Sequence, residues 1–152
     1  MALNDDIALL STVPLFRDIG EDKLRLIAFG AERRRLQAGQ MLFREGTSAD
    51  CAFVVASGRF ELTRAGKDGR TVPLGHAETG TLLGELAMVT AMERSITAIA
   101  VDNAEVIRIN RPLFRRMLEE YPDIAGIVRA RIDENLAALN ADLGKIAGRF
   151  SN

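Results

Sequence analysis

The stretch Arg59-Phe60-Glu61-Leu62-Thr63-Arg64-Ala65-Gly66-Lys67-Asp68-Gly69-Arg70-Thr71-Val72-Pro73-Leu74 decides the fold. Arg59 to Arg64 alternates polar and apolar residues, the period of a half-buried strand. Gly66-Lys67-Asp68-Gly69 follows, and Asp-Gly between two such runs signals a hairpin. Thr71 to Ala77 then alternates again through Val72 and Leu74. Outward from this pair, Gln40–Arg44, Ala52–Ala56, Arg94–Ala100 and Glu105–Asn110 read as further strands. Many short strands, with no helix between most of them, predict an antiparallel sandwich or barrel.

The flanks read differently. Asn4 to Leu10 suits a short helix with Asn4 as its cap, ended by Pro14. Gly20-Glu21-Asp22 opens a second helix carrying Leu24, Ile27 and Ala28 at helical spacing, and Gly30 closes it. After the strands, Arg111 to Tyr121 is a helix with Pro112 in its first turn. Pro122 starts another, predicted to run to about Phe150. Its apolar positions Ile124, Val128, Ile132, Leu136, Leu139, Leu143 and Ile146 drift toward the period of a coiled coil, which predicts a homodimer seam. The chain thus reads as one domain over residues 1–152. N-terminal helices occupy 1–30, an antiparallel β-roll of jelly-roll type 31–110, and two C-terminal helices 111–150, an α+β arrangement.

Composition narrows the function. Twenty basic side chains face twenty-one acidic ones, for a net charge of -1. That argues against a generally basic nucleic-acid binder. A single cysteine, Cys51, excludes an internal disulfide and a cluster held by several cysteines of one chain. A single histidine, His76, excludes metal sites that need two or three imidazoles and argues against a β-roll metalloenzyme of the cupin kind. No segment approaches the roughly 20 apolar residues of a membrane span. The acidic start lacks the form of a secretory signal, so the expectation is a cytoplasmic protein that does not act at a membrane.

One segment interrupts the strand pattern. Gly80-Thr81-Leu82-Leu83-Gly84-Glu85-Leu86-Ala87-Met88-Val89 carries two glycines and a helix-like turn, and Glu93-Arg94-Ser95 follows. Gly84 permits a tight turn, and the amides after it are donors at a positive dipole end. Arg94, predicted at a strand start, can return beside that turn and complete a phosphate clamp. Glu85 in the same turn needs a separate partner, and a ribose hydroxyl is the obvious one. A decorated loop with a surface Glu–Arg pair accounts for the same residues.

This segment resembles the phosphate-binding cassette of cyclic nucleotide-binding domains, which reads roughly Phe-Gly-Glu-Leu-Ala-Leu, then Pro-Arg-Ala/Ser/Thr-Ala-Thr. Here the cassette is 80–97, with Leu83-Gly84-Glu85-Leu86-Ala87-Met88 and Glu93-Arg94-Ser95-Ile96-Thr97. Glu45-Gly46-Thr47-Ser48-Ala49-Asp50 and Ser57-Gly58 are similar to the family's two turns. Leu9-Leu10-Ser11-Thr12-Val13-Pro14-Leu15-Phe16 is similar to the opening of catabolite activator-like members. The resemblance implies a non-enzymatic sensor that binds a purine cyclic mononucleotide, with cAMP ahead of cGMP, and needs no cofactor. It implies Glu85 at the ribose 2′-hydroxyl and Arg94 at the cyclic phosphate. The Leu86 and Ala87 amides and Ser95 assist there, and Gly84 supplies the turn. Arg129, Arg131, Asp133 and Asn135 lie where the family places its purine lid. Glu93 in place of Pro, Ile96 in place of Ala and Leu83 in place of Phe depart from the pattern. The second implied reading is a degenerate fold that acts as a ligand-independent protein–protein interaction module.

The remaining residues have plainer readings. His76 reads as a surface imidazole, Cys51 as a small core or edge residue, and Arg33-Arg34-Arg35 as a solvated strand edge. Catabolite activator-like regulators add a helix-turn-helix after the long helix, and this chain stops at Asn152. The expectation is a stand-alone module that does not bind DNA and signals in trans to a protein effector through its C-terminal helices.

Overall fold

The computed structural model describes residues 2–135. Helix α1 spans Ala2–Ser11, followed by a 3-10 turn at Pro14–Phe16 and helix α2 at Glu21–Gly30. Asn4 is therefore inside α1 and does not cap it. Leu10 and Ile7, buried against the core, anchor this helix, so packing rather than a cap sets where it starts. Pro14 opens the 3-10 turn, three residues beyond the end of the helix.

Ten short strands follow: β1 (Glu32–Leu36), β2 (Met41–Phe43), β3 (Ser48–Ala49), β4 (Cys51–Ser57), β5 (Phe60–Ala65), β6 (Thr71–Ala77), β7 (Leu82–Leu83), β8 (Met92–Glu93), β9 (Thr97–Ala100) and β10 (Ala104–Asn110). They form two four-stranded sheets, β1-β10-β4-β7 and β2-β9-β5-β6, and a two-stranded ribbon, β3-β8. Each pairing is antiparallel. The fold is the expected α+β jelly-roll β-roll between helices.

The β5–β6 hairpin closes where Gly66–Gly69 predicts it, with the Gly66 amide donating to the Arg70 carbonyl at 2.7 Å. The strand expected over Arg94–Ala100 is shorter. It begins at Thr97, and Arg94 sits between β8 and β9. Its side chain turns into the roll, which breaks the run.

Two apolar clusters hold the molecule together. Phe53, Val55, Phe60, Leu83, Ala98 and Val106 fill the space between the sheets. Ala52, Val54, Ile107 and Ile109 face the other way, onto Leu10, Phe16, Ile27, Phe114 and Val128 of the helices. β4 is thus buried on both faces, which explains its unbroken apolar run. Arg33 of edge strand β1 is not simply solvated. It pairs with the buried Asp6 of α1 and with Glu105 of β10, and so ties the first helix to the roll.

Helix α3 spans Arg111–Glu120, with the Asn110 side chain capping the Leu113 amide. The last described helix, α4, covers residues 122–135. Arg131 on α4 donates to the Leu15 and Arg17 carbonyls and so fixes the helix against the 3-10 turn. Of the predicted homodimer seam, Ile124, Val128 and Ile132 instead pack into this chain's own core, because α4 lies against the roll and α3. Leu136, Leu139, Leu143 and Ile146 lie outside the described residues. No helix among the described residues is long and apolar enough to cross a membrane.

Candidate functional site

Gly84 and Arg94 are brought together where the roll meets the ribbon. Gly84 takes a left-handed conformation, φ 78° and ψ 33°, which only glycine adopts at no cost. A 3-10 turn over Glu85–Met88 starts from it. A Cβ built on Gly84 would fall on Nη1 of Arg94. The missing side chain is therefore the space that the guanidinium occupies.

Arg94 is held from the backbone outward. Its amide donates to the Thr47 carbonyl and its own carbonyl accepts from the Gly46 amide, both at 2.8 Å. The turn at Gly46-Thr47 thus locks the position. The residue is only 7% exposed. Its guanidinium stands 4.6 Å from the Phe43 ring centre and 5.5 Å from that of Phe53. Nη2 donates to the Cys51 thiol sulfur at 3.3 Å. Nη1 is buried and has no hydrogen-bond partner among the described residues. A buried cation with an idle donor is costly unless something anionic completes it. The surface Glu–Arg pair does not form: Glu85 and Arg94 are not bonded, and Arg94 is interior.

Glu85 is half-buried on the same turn. Both carboxylate oxygens accept from Nδ2 of Asn135 on α4, at 3.3 and 3.1 Å. Burial pushes its pKa above the ordinary value, and the Asn135 donor pulls it part of the way back. A fixed cation with an unpartnered donor over Gly84, and a partly dehydrated carboxylate on the next residue, match a small ligand carrying an anion and a hydroxyl.

The profile of the cyclic nucleotide-binding domain matches residues 33–121, a span that includes Gly84, Glu85 and Arg94. This chain belongs to the cyclic nucleotide-binding domain family. It is 47% identical to a cyclic nucleotide-binding-like protein of Brucella abortus, covering 76% of this chain and 98% of that one, with a TM-score of 0.68. The catabolite activator protein of Thermus thermophilus is 25% identical, covering 88% of this chain and 63% of that one, with a TM-score of 0.75. Lysophospholipase NTE1 of Chaetomium globosum is 30% identical over 122 residues, 80% of this chain. The chain spans only 8% of that protein's length.

Within this cyclic nucleotide-binding domain the other expected residues are placed as follows. The Ala87 amide donates to the Gly84 carbonyl at 3.0 Å, so it is already engaged inside the turn. Leu86 is half-buried on that turn, and Ser95 is exposed beside Arg94. Glu93 is exposed on β8 and pairs across to Ser48, away from the interior that Arg94 enters. Ile96 is half-buried, and Leu83 packs into the roll interior. Of the lid candidates, Asn135 reaches Glu85, whereas Arg131 is bonded to Leu15 and Arg17. His76 is exposed on β6, as expected.

Sequence reasoning missed four contributors. Phe43 and Phe53 read only as strand residues, yet they present their faces to Arg94. Cys51 read as a packing residue, yet its sulfur touches the same guanidinium. Arg111 carried no signal at all. At the start of α3 it donates to the Ala87, Ala49 and Thr90 carbonyls at 2.9, 2.8 and 3.1 Å, and so joins the cassette to the helix.

Proposed function

We propose that this domain is a non-enzymatic sensor that binds a purine cyclic mononucleotide, cAMP ahead of cGMP. The observation that carries the reading is the buried Nη1 of Arg94, unpartnered among the described residues and lying over Gly84. Arg94 binds the cyclic phosphate through a charge-assisted hydrogen bond. The Leu86 amide and Ser95 assist, and the Ala87 amide contributes as a shared donor. Glu85 accepts from the ribose 2′-hydroxyl, which takes over from Asn135 or joins it. The preference for cAMP follows the resemblance to catabolite activator-like members, in which Ser stands at the position of Ser95.

Output leaves through the C-terminal helices. A ligand that rearranges Glu85 changes what holds Asn135 on α4. A ligand that moves the cassette carbonyls changes what holds Arg111 on α3. A contact that changes on binding is the requirement for a ligand-driven switch, and these two contacts are placed to supply it. A protein effector in trans, rather than DNA, suits the net charge of -1. Leu136, Leu139, Leu143 and Ile146, at coiled-coil spacing in the sequence, motivate a homodimer; Val128 and Ile132 are spent on this chain's own core. Replacing Leu136 and Leu139 by Glu then gives monomers in light scattering, and a monomeric wild type refutes the dimer.

Calorimetry with cAMP, cGMP and 2′-deoxy-cAMP on wild type and Arg94→Ala tests the core of the reading. Wild type binds at least one of the ligands, and the variant loses it. If wild type binds none of them, the protein–protein interaction reading takes its place.

A further inference from the structure

We infer that Cys51 is a positioning residue for the anion site: its neutral thiol holds one end of the Arg94 guanidinium and leaves the other end uncommitted. The inference rests on the proposed binding of a cyclic phosphate by Arg94.

Nη2 of Arg94 donates to Cys51 Sγ at 3.3 Å, while Nη1 has no partner among the described residues. The rings of Phe43 and Phe53 cover the guanidinium but offer no hydrogen-bond acceptor. Cys51 is therefore the side-chain acceptor that fixes which way the fork points. It is itself buried, at the start of the strand whose next inward residue is Phe53.

The chemistry of that acceptor matters. Arginine stays charged in proteins, and a buried guanidinium next to a carboxylate forms a paired, bidentate unit. Such a pair would have to be broken before a phosphate could enter. Neither nearby carboxylate bonds Arg94: Asp50 pairs with Arg108 at 3.4 Å and faces the Cys51 thiol from the other side, and Glu93 is exposed. Sulfur is a weak acceptor, and burial pushes the thiol pKa up, so at neutral pH Cys51 orients the cation without neutralising it. The full charge of Arg94 is kept for the ligand.

Three variants separate positioning from packing: Cys51→Val, which keeps apolar volume and loses the acceptor; Cys51→Ser, which keeps an acceptor and loses volume; and Cys51→Asp, which supplies a carboxylate. Binding of cAMP is read by calorimetry, and folding by thermal melting. Positioning predicts that Ser binds within about threefold of wild type, and that Val binds about three- to tenfold more weakly at an unchanged melting temperature. Asp binds more than about tenfold more weakly, because the new carboxylate competes with the phosphate. A packing role predicts the opposite order, with Val like wild type and Ser weakened, and that result overturns the inference. If Val does not fold, the Asp variant decides: wild-type affinity there overturns it equally. A wild type that binds no cyclic nucleotide removes the proposed function and this inference together. A wild type that binds while the three variants follow the packing order removes the inference alone.

Discussion

Gly84 and Arg94 share one volume: the guanidinium of Arg94 lies where the side chain of any other residue at position 84 would begin. Gly84→Ala therefore does two things. It forces a non-glycine residue into a left-handed turn at about 1–2 kcal/mol, and it displaces Arg94 from its seat. A loss of stability of that size in denaturant titration, together with weaker cyclic nucleotide binding, is expected. An Ala variant that binds as wild type does would separate the turn from the anion site.

Arg94 sets function against stability. It is a buried cation whose hydrogen-bond partner is a thiol and whose second nitrogen is idle among the described residues. Removing an incompletely compensated buried charge relieves its desolvation, even though the contacts with Phe43 and Phe53 are lost. Arg94→Met, close in length and apolar, should leave the ligand-free protein as stable as wild type or more so. Binding of the cyclic phosphate should fall by about 2–5 kcal/mol, as when one member of a buried charge pair is truncated. A large drop in the melting temperature of the ligand-free variant would instead make Arg94 a structural residue.

The roll was readable because its hairpin is written locally. Gly66 to Gly69 carries both the turn glycines and the Asp, and the flanking alternation needs no tertiary information. The break at Arg94 is not local. In sequence, Arg94 to Ala100 reads as one strand. The strand starts only at Thr97 because a long polar side chain is drawn inward by Cys51, Phe43 and the space at Gly84. The same cause hid Cys51, whose partner is distant in the chain. Glu85 and Arg94 were legible as a pair of chemical types at a characteristic spacing, but their separation was not. Each faces a different partner, Asn135 and Cys51, instead of the other.

Asp6 gives a control away from the site. Its carboxylate is buried and pairs with Arg33, which also holds Glu105. Asp6→Ala leaves Arg33 one partner and opens the seam between α1 and the roll. A destabilisation of about 1–3 kcal/mol is expected from the lost charged hydrogen bond. Ligand affinity should not change. A variant with wild-type stability would mean that α1 is held by Ile7 and Leu10 alone.

Glu85 makes stability depend on pH in a direction that identifies it. Burial raises its pKa above the ordinary 4.5, with Asn135 opposing the rise. In the unfolded chain the carboxyl keeps its ordinary value. As pH climbs from about 4.5 toward the folded value, the unfolded state gives up this proton first. The native state then binds more protons than the unfolded one, so Glu85 lowers stability across that window, and the cost stays constant above it. Glu85→Gln removes the charge and keeps an acceptor for Asn135. The variant should match wild type near pH 4 and be the more stable of the two at pH 7. Asn135→Ala removes the opposing donor, so it should extend the window upward. Ligand binding should show the reverse preference. Glu85→Gln is expected to bind cAMP about 1–3 kcal/mol more weakly, because a charge-assisted hydrogen bond to the ribose becomes a neutral one. It should also discriminate less against 2′-deoxy-cAMP. Thermal melts of wild type and both variants across pH, paired with calorimetry at neutral pH, check both halves. A stability difference that is the same at pH 4 and pH 7 would show that the Glu85 carboxyl is not the group responsible. Unchanged discrimination against the deoxy ligand would place the ribose elsewhere.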